Sequence, residues 1–127
     1  MHEERQEVYG DTDFFLALIK SSDWLKENAK KIYKNYKKSL TTSEITFLEL
    51  MLLAKRYKLP LIKTTAAAMK IGNYNDTKPI AAAKLIEEGF NVFDAFHAIH
   101  CNGKIISSDK IFDEINIERI RLEGEKK

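Results

Sequence analysis

The chain reads as an α/β protein, a three-layer α/β/α sandwich around a small, mainly parallel sheet of four to five strands. Two observations predict this. Helical stretches alternate with short runs rich in β-branched residues, among them KIISS (104–108) and ERIRL (118–122). Stop signals fall between them, with Gly72, Gly89 and Asn102–Gly103 each closing a periodic stretch. At 127 residues, 44% hydrophobic and 31% charged, the chain is long enough to bury one core.

Each element has its own signal. EVYG (7–10) is a short strand interrupted by Gly10, and DTDFFLALIK (11–20) opens a helix with Asp11 or Asp13 at its start. SSDWLKENAKKIYKNYKK (21–38) is a second helix, capped by Ser21 or Ser22. Leu25, Ala29, Ile32 and Tyr36 form its apolar stripe. Lys26, Lys30, Lys31, Lys34, Lys37 and Lys38 occupy the other side. Such a face is ordinarily solvated, and phosphate binding is the alternative. SLTT (39–42) is a short buried strand or turn, and Thr41 with Glu44 has the spacing of a capping box for the next helix. That helix, EITFLELMLLAKRY (44–57), ends before Pro60. TTAAAMKIG (64–72) is helical, as are TKPIAAAKLIEEG (77–89), with Thr77 near its cap and Pro79 in its first turn, and VFDAFHAIHCNG (92–103). KIISS and ERIRL are the closing strands. No third strand stands where a regular βαβ series would put one, and 61–72 is the segment that would replace it.

Composition excludes several classes. A net charge of +2 is too small to argue for nucleic acid by itself and does not exclude it, since charge can be unevenly spread. A lone cysteine, Cys101, forbids an internal disulfide and fits a reducing cytosol. The charged start MHEERQE is not a signal peptide, and no run has the length of a membrane span. The expectation is a cytoplasmic protein with no membrane contact.

Glu49 is the conspicuous residue. Ile45, Leu48, Leu52 and Leu53 follow the spacing of one buried helix face, and at about 100° per residue Glu49 falls inside that arc. A carboxylate there must be paired, protonated or bound. The bland reading is a Glu that leans to the edge of the face or meets a buried cation. The sharper reading joins it to other acids. Asp11 and Asp109 each follow a strand directly, where ligands sit in parallel sheets, although each is also an ordinary helix cap. Asp94 sits among Phe93, Phe96 and Ile99, with His97, Ala98 and Cys101 on its own face. Four carboxylates that share a pocket call for a cation, and oxygen-only ligands suit Mg²⁺ or Mn²⁺ rather than Zn²⁺. His97, His100 and Cys101 lack the second pair that a zinc site needs.

In order and spacing, YGDTDFFLALI, ITFLELMLL, NVFDAFHAI and KIISSDKIFDEI resemble the PIN domain, the ribonuclease fold of VapC-type toxins. The resemblance covers nearly the whole chain and implies one PIN-like domain over 1–127. It matches the family's acids to Asp11, Glu49, Asp94 and Asp109, with Asp113 as a further acid near the metal. Asp13 stands where members often carry Asn, and Gly10 where they usually carry an apolar residue. The resemblance implies cleavage of RNA phosphodiesters. Asp11, Asp94 and Asp109 would hold Mg²⁺ or Mn²⁺, and Glu49 would bind it directly, through water, or orient the attacking water. It also implies a toxin–antitoxin pair, a protein antitoxin as partner, and a homodimer.

Two other readings stand beside it. A PIN-fold scaffold would bind RNA or protein without cutting. A haloacid-dehalogenase-like phosphatase would use Asp11 as nucleophile and Asp13 as acid/base, but Phe14 and Phe15 sit where that family wants small residues.

Overall fold

The computed structural model describes residues 7–124. Most of the charged opening stretch, MHEERQ, lies outside them. The order is β1 (Val8–Tyr9), α1 (Thr12–Ile19), α2 (Lys26–Tyr36), β2 (Leu40–Thr41), α3 (Glu44–Arg56), α4 (Leu61–Ile71), α5 (Lys78–Glu87), α6 (Val92–His100), β3 (Lys104–Ser107), a 3₁₀ turn (Lys110–Glu114) and β4 (Glu118–Arg121). Helices flank small parallel sheets, an α/β fold of the expected kind.

The expected single sheet of four to five strands is instead two separate parallel pairs among the described residues. β1 pairs β2, Val8 opposite Leu40, and β3 pairs β4, Lys104 opposite Glu118 through Ser107 opposite Arg121. The strands ending near Asp11 and Asp109 are therefore not hydrogen-bonded neighbours. With two residues each, β1 and β2 offer few backbone groups to a further strand.

Local chemistry explains the boundaries. Asp11 caps α1, its carboxylate accepting the Thr12 N–H at 2.6 Å. Ser21 and Ser22 do not cap α2, which begins after Leu25. Asp23 accepts the Leu25 N–H at 2.9 Å, and the Lys26 ammonium donates to the carbonyls of Leu18 (3.0 Å) and Lys20 (2.6 Å). Lys26 thus closes the end of α1, and α2 begins only once the chain has turned. The Thr41–Glu44 capping box does not form. Thr41 is taken up by β2, Ser43 is the cap residue of α3, and Glu44 pairs with His100. The 64–72 stretch is helical as expected, within α4, which starts at Leu61 directly after Pro60, and no strand replaces a third one there. Asn73 follows in a left-handed conformation (φ 55°) and donates to the carbonyls of Lys37 (2.9 Å) and Leu40 (2.8 Å), tying the end of α4 to β2.

The core forms where α1, α3, α4, α5 and α6 meet. Phe15, Phe47, Leu50 and Met51 are wholly buried, each worth about 1.5–3 kcal/mol on removal from water. Ala68, Ala82, Ala83 and Ala95 bring the helices close. Phe112 from the 3₁₀ turn meets Phe90 edge-on, centroids 6.3 Å apart, and docks the β3–β4 unit onto the loop before α6. Gly10 is also explained: an added Cβ would stand 3.0 Å from the Phe15 ring and 3.4 Å from Leu40.

Candidate functional site

The arc of α3 expected to be buried is not the one that is. Phe47, Leu50, Met51 and Ala54 face the core, while Ile45 is 71% exposed and Leu52 42%. Glu49 lies nearly opposite the buried arc by helical phase and is solvent-exposed. It therefore needs no cation to be tolerated.

Glu49 nonetheless has a specific partner. The hydroxyl of Thr12, a buried residue, donates to Glu49 Oε1 at 2.8 Å, while the Thr12 N–H donates to Asp11. One threonine at the start of α1 thus holds two carboxylates at the mouth of β1. Asp13, one residue further along, lies instead on the α1–α2 groove with Phe14, Asn28 and Ile32.

A second acidic pair forms at the other sheet. Asp109 caps the 3₁₀ turn, accepting the Ile111 N–H at 3.0 Å, and its own N–H donates to Ser107 Oγ at 3.0 Å. Asp94 sits in the first turn of α6, half-buried. Partial burial raises its pKa, and the Asp109 carboxylate raises it further by repelling its charge and by hydrogen bonding. Asn91 and His97 act the other way. Asn91 is bound to Asp94 twice. Its carbonyl oxygen accepts the Asp94 N–H and its amide donates to Asp94 Oδ2, both at 2.8 Å. The sequence reading missed this role, although an Asn three residues ahead of an acid at a helix start carries the signal.

Asp113 is tied elsewhere. It accepts a two-pronged contact from Arg119 (2.9 and 3.1 Å), whose guanidinium also donates to the Ser107 carbonyl (2.8 Å) and to Glu123 (3.0 Å). Arg119 holds the Asp113 carboxyl below the usual range. This cluster opens beside Lys110 and Arg121. His100 is engaged by Glu44, and the Cys101 thiol donates to the Ala98 carbonyl at 3.2 Å.

The acids thus stand in pairs. Asp11 and Glu49 meet through Thr12, and Asp94 lies near enough to Asp109 for that carboxylate to raise its pKa. Among the described residues no three His, Cys, Asp or Glu side chains gather closely enough to hold a metal ion. The single four-acid cluster expected from the sequence is not formed in this conformation. The strands before Asp11 and Asp109 lie in different sheets. Among the described residues no helix is long and apolar enough to cross a membrane.

The family model of the PIN domain matches residues 8–118, a span that holds all five acids. No curated protein and no solved structure matches the chain. PIN domains are nuclease-type folds, generally metal-dependent. Over most of its length, from β1 to the start of β4, the chain belongs to the PIN domain family.

Proposed function

We propose that the protein is a Mg²⁺- or Mn²⁺-dependent endoribonuclease, the VapC-type toxin of a type II toxin–antitoxin pair, acting as one domain over 1–127. The observation that carries this reading is a PIN-family match that spans Asp11, Glu49, Asp94 and Asp109, with the charge of Asp94 opposed by Asp109. A hard divalent cation fits that pair in kind, because both donors are carboxylates and the cation would offset their repulsion. Asp94 and Asp109 would hold it, with Asp11 and Glu49 brought in from the Thr12 side. Such an ion would polarise a phosphoryl oxygen and acidify water for attack on phosphorus. The chain's own contributions are positional. Thr12 fixes Asp11 and Glu49 together, Asn91 orients Asp94, and Ser107 holds the loop that presents Asp109. Exposed Ile45, Leu52 and Phe93 supply apolar area for a second copy or a protein antitoxin. Asp113, bound by Arg119, would support the loop rather than the cation.

The test is cleavage of single-stranded RNA with Mg²⁺ or Mn²⁺, stopped by EDTA. Asp11→Asn should lose more than the roughly 10–100-fold typical of residues one shell removed from a metal, and Asp13→Asn, on the α1–α2 groove, should lose little. Equal loss in the two, with activity on a phosphate monoester, would support the phosphatase chemistry instead. Metal binding without cleavage of any RNA offered would support the non-catalytic scaffold.

A further inference from the structure

Trp24 is the most exposed large hydrophobic residue among those described, 90% accessible, in the turn leading into α2. It is also the chain's single tryptophan. A side chain of that size is normally an anchor in a core or an interface. The helix that follows is unusual in charge. Residues 26–38 hold six lysines against one glutamate, a net +5, in a chain whose total is +2, so the other 114 residues carry −3. By helical phase Lys30, Lys31, Lys34, Lys37 and Lys38 lie within an arc of about 120°. Trp24 stands in the turn two residues ahead of this helix, next to its cap residue Leu25.

Within the fold this charge is largely unanswered. Lys26 serves the end of α1, and Lys30 reaches Glu27 at 3.5 Å. Among the described residues none of Lys31, Lys34, Lys37 and Lys38 has a carboxylate within 4.0 Å. Lysines three and four apart repel along a helix, and α2 buries only Ala29 to offset this. The helix dipole favours cations at the last turn alone.

We propose that Trp24 and the lysine face of α2 form a docking surface for single-stranded RNA. The inference deepens the ribonuclease reading and rests on it for the choice of RNA. A basic track with an exposed aromatic ring is the combination that holds single strands: lysines neutralise phosphates and the indole stacks on an unpaired base. A duplex keeps its bases stacked and offers the ring nothing. An anionic membrane would also attract lysines, but a membrane-surface helix must turn its apolar stripe outward. Here Leu25 and Ala29 turn toward Phe14 and Ala17 of α1 across a groove of about 160 Å³, and only Ile32 and Tyr36 of the stripe stay exposed.

The experiment follows Trp24 emission, unique in the chain, as an oligouridylate RNA is added in EDTA over a range of KCl concentrations. Labelled-RNA anisotropy is read in parallel. RNA should quench Trp24. In K31Q/K34Q/K37Q/K38Q the slope of log affinity against log salt should flatten by about 0.7 for each lysine that touches phosphate. K55Q/K63Q/K70Q/K84Q, which removes equal charge from exposed positions on α3, α4 and α5, should flatten it less. Trp24→Ala should weaken binding by about 5- to 150-fold, the equivalent of one stacked base. Circular dichroism should show the α2 variant folded, since it relieves repulsion. The proposal is overturned if the two quadruple variants behave alike, if saturating RNA leaves Trp24 emission unmoved, or if phosphatidylserine vesicles shift that emission and RNA does not. Because binding is read without metal, the two readings separate. A protein that binds through α2 yet cuts no RNA keeps this surface and loses the nuclease. One that cuts RNA with an unchanged KM in the α2 variant keeps the nuclease and loses this surface.

Discussion

Asn91 performs two tasks that substitution can separate. Its carbonyl oxygen caps α6 through the Asp94 N–H, and its amide donates to the Asp94 carboxylate. Asn91→Ala removes both. Loss of an Asn cap costs about 0.5–2 kcal/mol, typically 1, and for a chain of this size about 1 kcal/mol lowers Tm by roughly 3–5 °C. Asn91→Ser retains a capping oxygen and removes the amide donor, so its stability should stay within about 0.5 kcal/mol of wild type. Both changes remove a contact that lowers the Asp94 pKa, while burial and Asp109 continue to raise it. Asp94 should therefore titrate higher in both variants. Thermal unfolding reads the first quantity and carboxyl ¹³C NMR of Asp94 against pH reads the second. A Ser variant as unstable as the Ala variant would refute the cap assignment. An Asp94 titration unmoved in both would refute the amide contact and, with it, the role of Asn91 in orienting the acid.

Three further outcomes are expected. Asp94 is raised above its unfolded pKa, so its ionised form disfavours the fold above that raised value and the penalty vanishes as pH falls through it. Asp94→Asn should accordingly melt no lower than wild type at pH 7, with a gain of at most about 1 kcal/mol that disappears in acid; marked destabilisation at neutral pH would make Asp94 a structural hydrogen-bonding group. Asp113 is the opposite case, its pKa held down by Arg119, so it stabilises above its unfolded value and the effect is lost as pH falls through the depressed one. The Tm gap between wild type and Arg119→Gln should start to narrow below about pH 4, the ordinary carboxylate range, leaving the share owed to the Ser107 carbonyl, and a gap that stays unchanged far into acid would show that the Asp113 pair adds nothing to it. An added Cβ at Gly72 would stand 2.9 Å from Thr42 Cγ2 and 3.2 Å from the Phe15 ring, so Gly72→Ala should cost about 1–3 kcal/mol, whereas a midpoint raised in urea would show that the neighbours give way.

What the sequence disclosed depends on whether the signal was local. Asp11 at the start of α1, Thr77 before α5, Gly72 after α4 and Gly89 at φ 114° lie where cap and breaker chemistry puts them. The face of α3 was not legible because that helix is apolar nearly all round. Ile45, Leu48 and Leu52 make as good a stripe as Phe47, Leu50, Met51 and Ala54, and only tertiary packing chooses between them. Thr46, polar yet buried, further obscured the correct arc. The caps of α2 and α3 failed for a related reason. Ser21, Ser22 and Thr41 have capping chemistry, but the Lys26 side chain, reaching back six and eight residues to the end of α1, and the β1–β2 pairing across the chain decide where the helices begin.

The inverted face of α3 also changes which residues bear on the metal. An acid buried in an apolar arc would have had to be paired, protonated or bound, but Glu49 is exposed and held by a neutral hydroxyl. Its geometry is satisfied without any ion, and Glu49→Gln should preserve the Thr12 contact, since an amide oxygen accepts as a carboxylate does. Asp94 differs. Its charge is opposed by burial and by Asp109 and is partly offset by the Asn91 amide and His97. A divalent ion there would relieve a repulsion the fold already carries. Linkage then gives an order. Asp94→Asn should abolish most of the Tm rise produced by Mn²⁺, because binding to the native state alone is what raises Tm, and Glu49→Gln should abolish less. The reverse order would place the cation on the Thr12 side, with Asp11 and Glu49 as its principal ligands.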